Sequence, residues 1–199
     1  MTRAGFFRLL LLSVLVTPGL LHAIPTLAAD AWNVERLMSM LGRQAEGRAT
    51  FTERKYLAVL DAPVESSGEL RFRAPDRLEK ITLKPRPESL VLEGDTLTVT
   101  RGERRHVVKL SDYREAAAFV DSIRATLAGD RGTLERTYAL TLGGTAERWK
   151  LTLLPRDPAM AEVVSRISIT GSRAQLGEIE ILQADGDRSV MRIAAAALR

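Results

Sequence analysis

From Gly47 to Ile193 the chain is divided into short stretches in which apolar and polar residues alternate, each closed by Pro, Gly, Asp or Ser. No other feature constrains the fold as tightly, because a period of two places alternate side chains on opposite faces of an extended strand. In Gly68–Arg73, Leu70 and Phe72 point one way while Glu69, Arg71 and Arg73 point the other, so one face meets apolar matter and the other meets water. The same reading applies at residues 49–60, 77–84, 89–94, 96–101 and 106–110, then at 137–142, 148–155, 165–171, 176–185 and 188–193. Turns are expected at Gly94-Asp95, Gly143-Gly144 and Asp185-Gly186. These signals predict an antiparallel sheet of about ten strands, with its arginines on the solvated face.

Helical spacing occurs in two places. Asp30 is positioned to cap a helix over Ala31–Leu41, with Trp32, Leu37, Met38 and Leu41 on one stripe and Gly42 at its end. Ser111 or Asp112 is positioned to open a second, with Ala116, Phe119, Val120, Ile123 and Leu127 as its stripe and Gly129 as its stop. Two helices are few for so much one-sided sheet. A strongly curved sheet with its apolar face concave and the helices across the opening would resolve this mismatch and leave a cavity for hydrocarbon. A closed barrel or a sandwich filled by its own side chains resolves it equally. Neither a long linker nor a fixed-period repeat is present, so residues 30–199 read as a single α+β, mainly β domain.

The first 29 residues have the order of a secretory signal: Arg3 and Arg8, the apolar run Leu9–Val16, Pro18-Gly19, then small residues. Cleavage after Ala28 or Ala29 is expected, with Ala23 as the alternative, giving an exported, periplasmic product. The full chain carries 29 Lys and Arg against 25 Asp and Glu. Loss of Arg3 and Arg8 would leave 27 against 25, too even for a nucleic-acid footprint. There is no cysteine, which excludes disulfides, thiolate metal sites, thiol nucleophiles and the lipid-modified cysteine of a lipoprotein. One histidine, His106, follows the signal, so three-histidine and His-Glu-x-x-His metal sites are excluded by count. No Gly-x-Ser-x-Gly elbow, Walker loop or dinucleotide fingerprint is present, and Asp185-Gly186-Asp187 has the composition of a hairpin. No catalytic residue, metal or cofactor is expected.

Several segments carry a family resemblance. After the signal and the amphipathic helix comes Phe51-Thr52-Glu53, in the place of a Phe-Thr-Gln type motif, then residues 68–78 (GELRFRAPDRL) and the strand pair around Gly94-Asp95. Over most of the chain this pattern resembles the LolA-type outer-membrane lipoprotein carriers. The resemblance implies an incomplete antiparallel barrel covered by helices that binds acyl chains and ferries an acylated protein or lipid cargo across the periplasm. Its implied partners are an inner-membrane ABC exporter and an outer-membrane acceptor, and the carrier is implied to act as a monomer. In that family an arginine just before the strand motif's proline latches the helical lid. Here Ala74 stands there, inward by parity with Leu70 and Phe72, and the aromatic four residues on is reduced to Leu78. A divergent member handling another amphiphile is therefore expected, the alternative being a periplasmic sensor or scaffold that binds a protein partner. The cavity residues expected from strand parity are Phe51, Leu70, Phe72, Leu78, Leu90 and Leu92, followed by Leu97, Val99, Trp149, Leu151 and Leu153. Lid contacts are expected from Leu37, Leu41, Phe119 and Ile123.

Overall fold

The computed structural model describes residues 31–195, apart from the side chains of residues 114–116, 118 and 119. The expected signal and the Asp30 cap fall outside the described residues.

The alternating stretches form eleven strands. The first six make a meander: β1 (Glu46–Tyr56), β2 (Val64–Arg73), β3 (Arg77–Lys84), β4 (Glu88–Glu93), β5 (Thr96–Arg101) and β6 (Arg104–Lys109). The last five make a second: β7 (Tyr138–Thr145), β8 (Arg148–Pro155), β9 (Val164–Ser172), β10 (Gln175–Gln183) and β11 (Arg188–Ala195). Together they form one antiparallel sheet in the order β6-β5-β4-β3-β2-β1-β11-β10-β9-β8-β7. The first and last strands meet at its centre, with Phe51 opposite Ile193 and Glu53 opposite Met191. The two edges, β6 and β7, stay unpaired with each other, so the sheet is open as the incomplete-barrel expectation requires. The expected Gly143-Gly144 turn is instead the end of β7, with Gly144 opposite Trp149. Residues 64–67 (VESS), ahead of the expected strand start at Gly68, extend β2 to pair with β1.

Helices fill the connection between the edges and flank the sheet. α1 spans Val34–Leu41 and α2 spans Arg114–Ala128. α1 starts at Val34, with Asn33 as its cap: the Asn33 side chain accepts a hydrogen bond from the Arg36 N–H at 2.9 Å. Ser111 and Asp112 do not cap α2 but lie in a 3-10 turn, Leu110–Asp112. There the Ser111 backbone N–H and hydroxyl donate to the Asp95 carboxylate at 2.9 and 2.7 Å. Gly129 ends α2 as expected, in the left-handed region at φ 67°. A Cβ at that position would sit 2.2 Å from the Met38 carbonyl oxygen, so the residue also permits close approach to α1. Two short helices were not expected: α3 (Arg131–Thr137), capped by Asp130 through the Thr133 N–H, and α4 (Pro158–Ala161), capped by Asp157.

The two halves of the sheet are filled differently. On β8 and β9, Trp149, Leu151, Leu153, Ile167 and Ile169 are no more than 1% exposed, packed with Leu37, Met38 and Leu41 of α1 and Leu134 of α3. On the same face of β2 to β5, Leu70, Leu78, Leu90 and Leu97 are only half-buried. Short helices cover one half, and the other is hollow.

Candidate apolar cavity

That hollow is a cavity of about 1420 Å³. It exceeds the roughly 300–1,000 Å³ of ordinary small-molecule pockets. Cross-strand register builds its wall. Phe72, Leu78, Leu92 and Leu97 stand opposite one another across β2 to β5. Leu70, Lys80 and Leu90 form the next row. Ile179, Ile181, Met191 and Ile193 of β10 and β11 supply the wall across the central seam. Strands this far apart in one sheet line a common space only because the sheet curls. Val120, Ile123 and Leu127 of α2 face the same space. Arg124 ties that helix to the β4–β5 turn, donating from Nη1 to the Gly94 carbonyl at 2.7 Å and from Nη2 to Asp121 at 2.5 Å.

One part of the wall is polar. Glu53 shares the inward face of β1 with Phe51 and is 5% exposed. Its carboxylate accepts from Lys80 Nζ at 2.5 Å, from Ser189 Oγ at 2.8 Å and from Ser66 Oγ at 3.3 Å, and Lys55 Nζ lies 3.8 Å away. Burial alone would raise the Glu53 carboxyl. The Lys80 hydrogen bond and charge, with smaller help from Lys55 and Ser189, outweigh burial and hold it below the usual carboxylate range. The Lys80 ammonium also lies 4.9 Å from the centre of the Phe51 ring. His106, opposite Val99 on the edge strand β6, is exposed and has no part in this cluster.

Seven expected cavity residues line the space: Leu70, Phe72, Leu78, Leu90, Leu92, Leu97 and Trp149. Leu151 and Leu153 do not, because they are fully buried in the core that also holds Leu37, Met38 and Leu41 of α1 and Leu134 of α3. Phe51 is buried under the Lys80 side chain, and Val99 lies outside the lining beside the open edge. Of the expected lid residues, Ile123 faces the cavity, Leu37 and Leu41 belong to the packed core, and the Phe119 side chain is outside the described residues. Ala74 requires a correction. β2 ends at Arg73, so strand parity stops there, and Ala74 is exposed in the turn before Pro75 with its N–H donating to Ala45.

Sequence reading missed Ile179, Ile181, Met191 and Ile193, although residues 177–182 (GEIEIL) carry the required alternation. It also missed Glu53 and Lys80, whose parity with Phe51 and Leu78 places opposite charges inside an apolar face.

An antiparallel sheet that curls without closing, with a helix across an apolar hollow, defines an open half-barrel. The family model described as outer membrane lipoprotein carrier protein LolA-like matches residues 26–199, and the chain belongs to this LolA-like family. No curated protein matches the chain in sequence. Among solved structures, it is similar to a LolA superfamily protein from Nitrosomonas europaea, at 11% identity and TM-score 0.42, covering 85% of this chain and 96% of that one. The complex of MucA and MucB from Pseudomonas aeruginosa matches at 14% identity and TM-score 0.45, with 83% of this chain and 59% of that one covered. The lipoprotein LppX from Mycobacterium tuberculosis matches at 10% identity and TM-score 0.43, covering 83% and 95%.

Proposed function

We propose that this protein is a periplasmic, monomeric carrier that holds the acyl chains of a lipid-like cargo in the half-barrel and moves it toward the outer membrane. In this reading residues 1–29 are the export signal and residues 30–199 the carrier domain. Cargo passes from an inner-membrane exporter to an outer-membrane acceptor. The observation that carries the reading is the hollow half of the sheet. A row of leucines that a globular core would bury completely instead faces a space large enough for hydrocarbon. Each methylene transferred there from water gains about 0.8 kcal/mol, which is the driving force an acyl carrier needs. No helix among the described residues is long and apolar enough to cross a membrane.

The test is uptake of a fluorescent fatty acid by Phe72→Glu and by Leu83→Glu. Phe72 lines the cavity. Leu83 is 54% exposed on the other face of β3. An unpartnered carboxylate on the cavity wall costs several kcal/mol to desolvate, so Phe72→Glu should abolish uptake and Leu83→Glu should keep it, both folded by circular dichroism. Parental uptake by a folded Phe72→Glu would mean that the leucine-lined space is not the site.

A further inference from the structure

Where β1 approaches its loop, two ammonium groups on the inward face of the sheet share one carboxylate. Glu53 is saturated by Lys80, Ser189 and Ser66, with Lys55 at 3.8 Å. The neighbouring charged groups on this part of the wall are engaged elsewhere. Arg188 lies 4.5 Å from the Tyr56 ring and 3.4 Å from Glu180, and the Asp187 carboxylate accepts from the Ala58 N–H at 2.8 Å. Two ammonium groups thus converge on the one carboxylate at Glu53. Lys80, 22% exposed, has further N–H donors to offer an anion, and the half-exposed Lys55 adds a second cation beside it.

The geometry points to a head-group seat: Lys80 and Lys55, held around Glu53, bind the carboxylate or phosphate of an acidic amphiphile. Its acyl chain lies along the strands toward Phe72 and Leu92 beneath Ile123 and Leu127. Along β1, Lys55 and Gly47, the residue opposite Phe72, are eight positions apart. At about 3.3 Å per residue that is about 26 Å, room for an extended long chain with its head at the lysines. The leucine wall alone treats an acid and its ester alike; this cluster discriminates between them. The inference rests on the acyl-carrier reading and specifies its cargo as anionic.

The experiment titrates the full exported chain with pyrene-labelled hexadecanoic acid and with its methyl ester, in the parent, in Lys55→Gln and in the Glu53→Gln/Lys80→Gln double variant. The double change removes the buried pair together and so strands neither charge. In the parent the acid should bind about tenfold more tightly than the ester at low salt, the scale of one charge-assisted hydrogen bond. Each variant should lose most of that preference, acid affinity falling about tenfold relative to ester affinity. Inorganic phosphate is titrated separately, to distinguish a lipid head group from a free anion. Equal affinity of acid and ester in the parent overturns the inference while the cavity stands, and phosphate binding at the lysines would then reassign the seat to a free anion. An acid preference that survives in both variants also overturns it. If neither ligand binds the parent, the carrier reading fails and the head-group seat fails with it.

Discussion

Replacing Glu53 by Gln tests whether the buried carboxylate stabilises the half-barrel through its charge. The substitution keeps the shape and one acceptor oxygen but removes the charge from the bonds to Lys80, Ser189 and Ser66. A hydrogen bond to a charged group contributes about 1.5–3 kcal/mol net against about 1 for a neutral one. The Lys80 bond dominates, and its side chain is 22% exposed to the cavity. The expected cost at pH 7 is therefore about 1–3 kcal/mol, short of the roughly 3–5 kcal/mol seen when a fully buried pair is broken. Its pH dependence is the sharper test. Because the folded protein holds the Glu53 carboxyl below its ordinary range, this stabilisation is complete above the unfolded carboxylate's titration and disappears as pH falls through the folded one. Urea denaturation at stepped pH should thus show parent and Glu53→Gln converging under acid, where the parent carboxyl is neutral too. A difference that is constant or widens as pH falls would refute the reasoning.

The alkaline side has its own marker. Burial pushes the Tyr138 phenol up to about 12, with a Ser122 hydrogen bond offsetting part of the rise, so its contribution is complete below pH 10 and lost between about 10 and 12. Tyr138→Phe should flatten that part of the stability curve in chemical denaturation, and an unchanged slope would count against it. Arg124→Ala should speed amide exchange in Arg114–Ala128 about tenfold by removing the bond to Gly94. Ala74→Arg, in an exposed turn, should leave that exchange unchanged; slower exchange would restore the family's latch position as the relevant one.

Strand periodicity made the sheet legible because one face of it is wet: Glu69, Arg71 and Arg73 declare the outside of β2, and Leu70 and Phe72 follow as the inside. Parity says which way a side chain points but not what covers it. Leu70 and Leu151 both point inward; the first lines a void and the second is packed in the helix-covered core. The expected helix starts came too early: α1 begins only at Val34 behind Asn33, and Ser111 and Asp112 form a 3-10 turn ahead of α2. The Ala74 reading failed because it extended a strand past its end, into a turn that Pro75 follows. Glu53 and Lys80 were visible as charges at inward positions, but their pairing across β1 and β3 required the register.

The meeting of β1 and β11 at the middle of the sheet governs the order in which this protein can assemble. Each meander is a run of hairpins between sequence neighbours and forms from local contacts. The seam between the meanders joins residues as far apart as Ala49 and Ala195. A chain that emerges N-terminus first must therefore wait for its last strand before β1 has a partner on its second side. Until then β1 is a free edge, and its inward residues have only half a wall. An incomplete chain offers that edge to other chains, so β11 guards against premature association as well as supplying cavity wall.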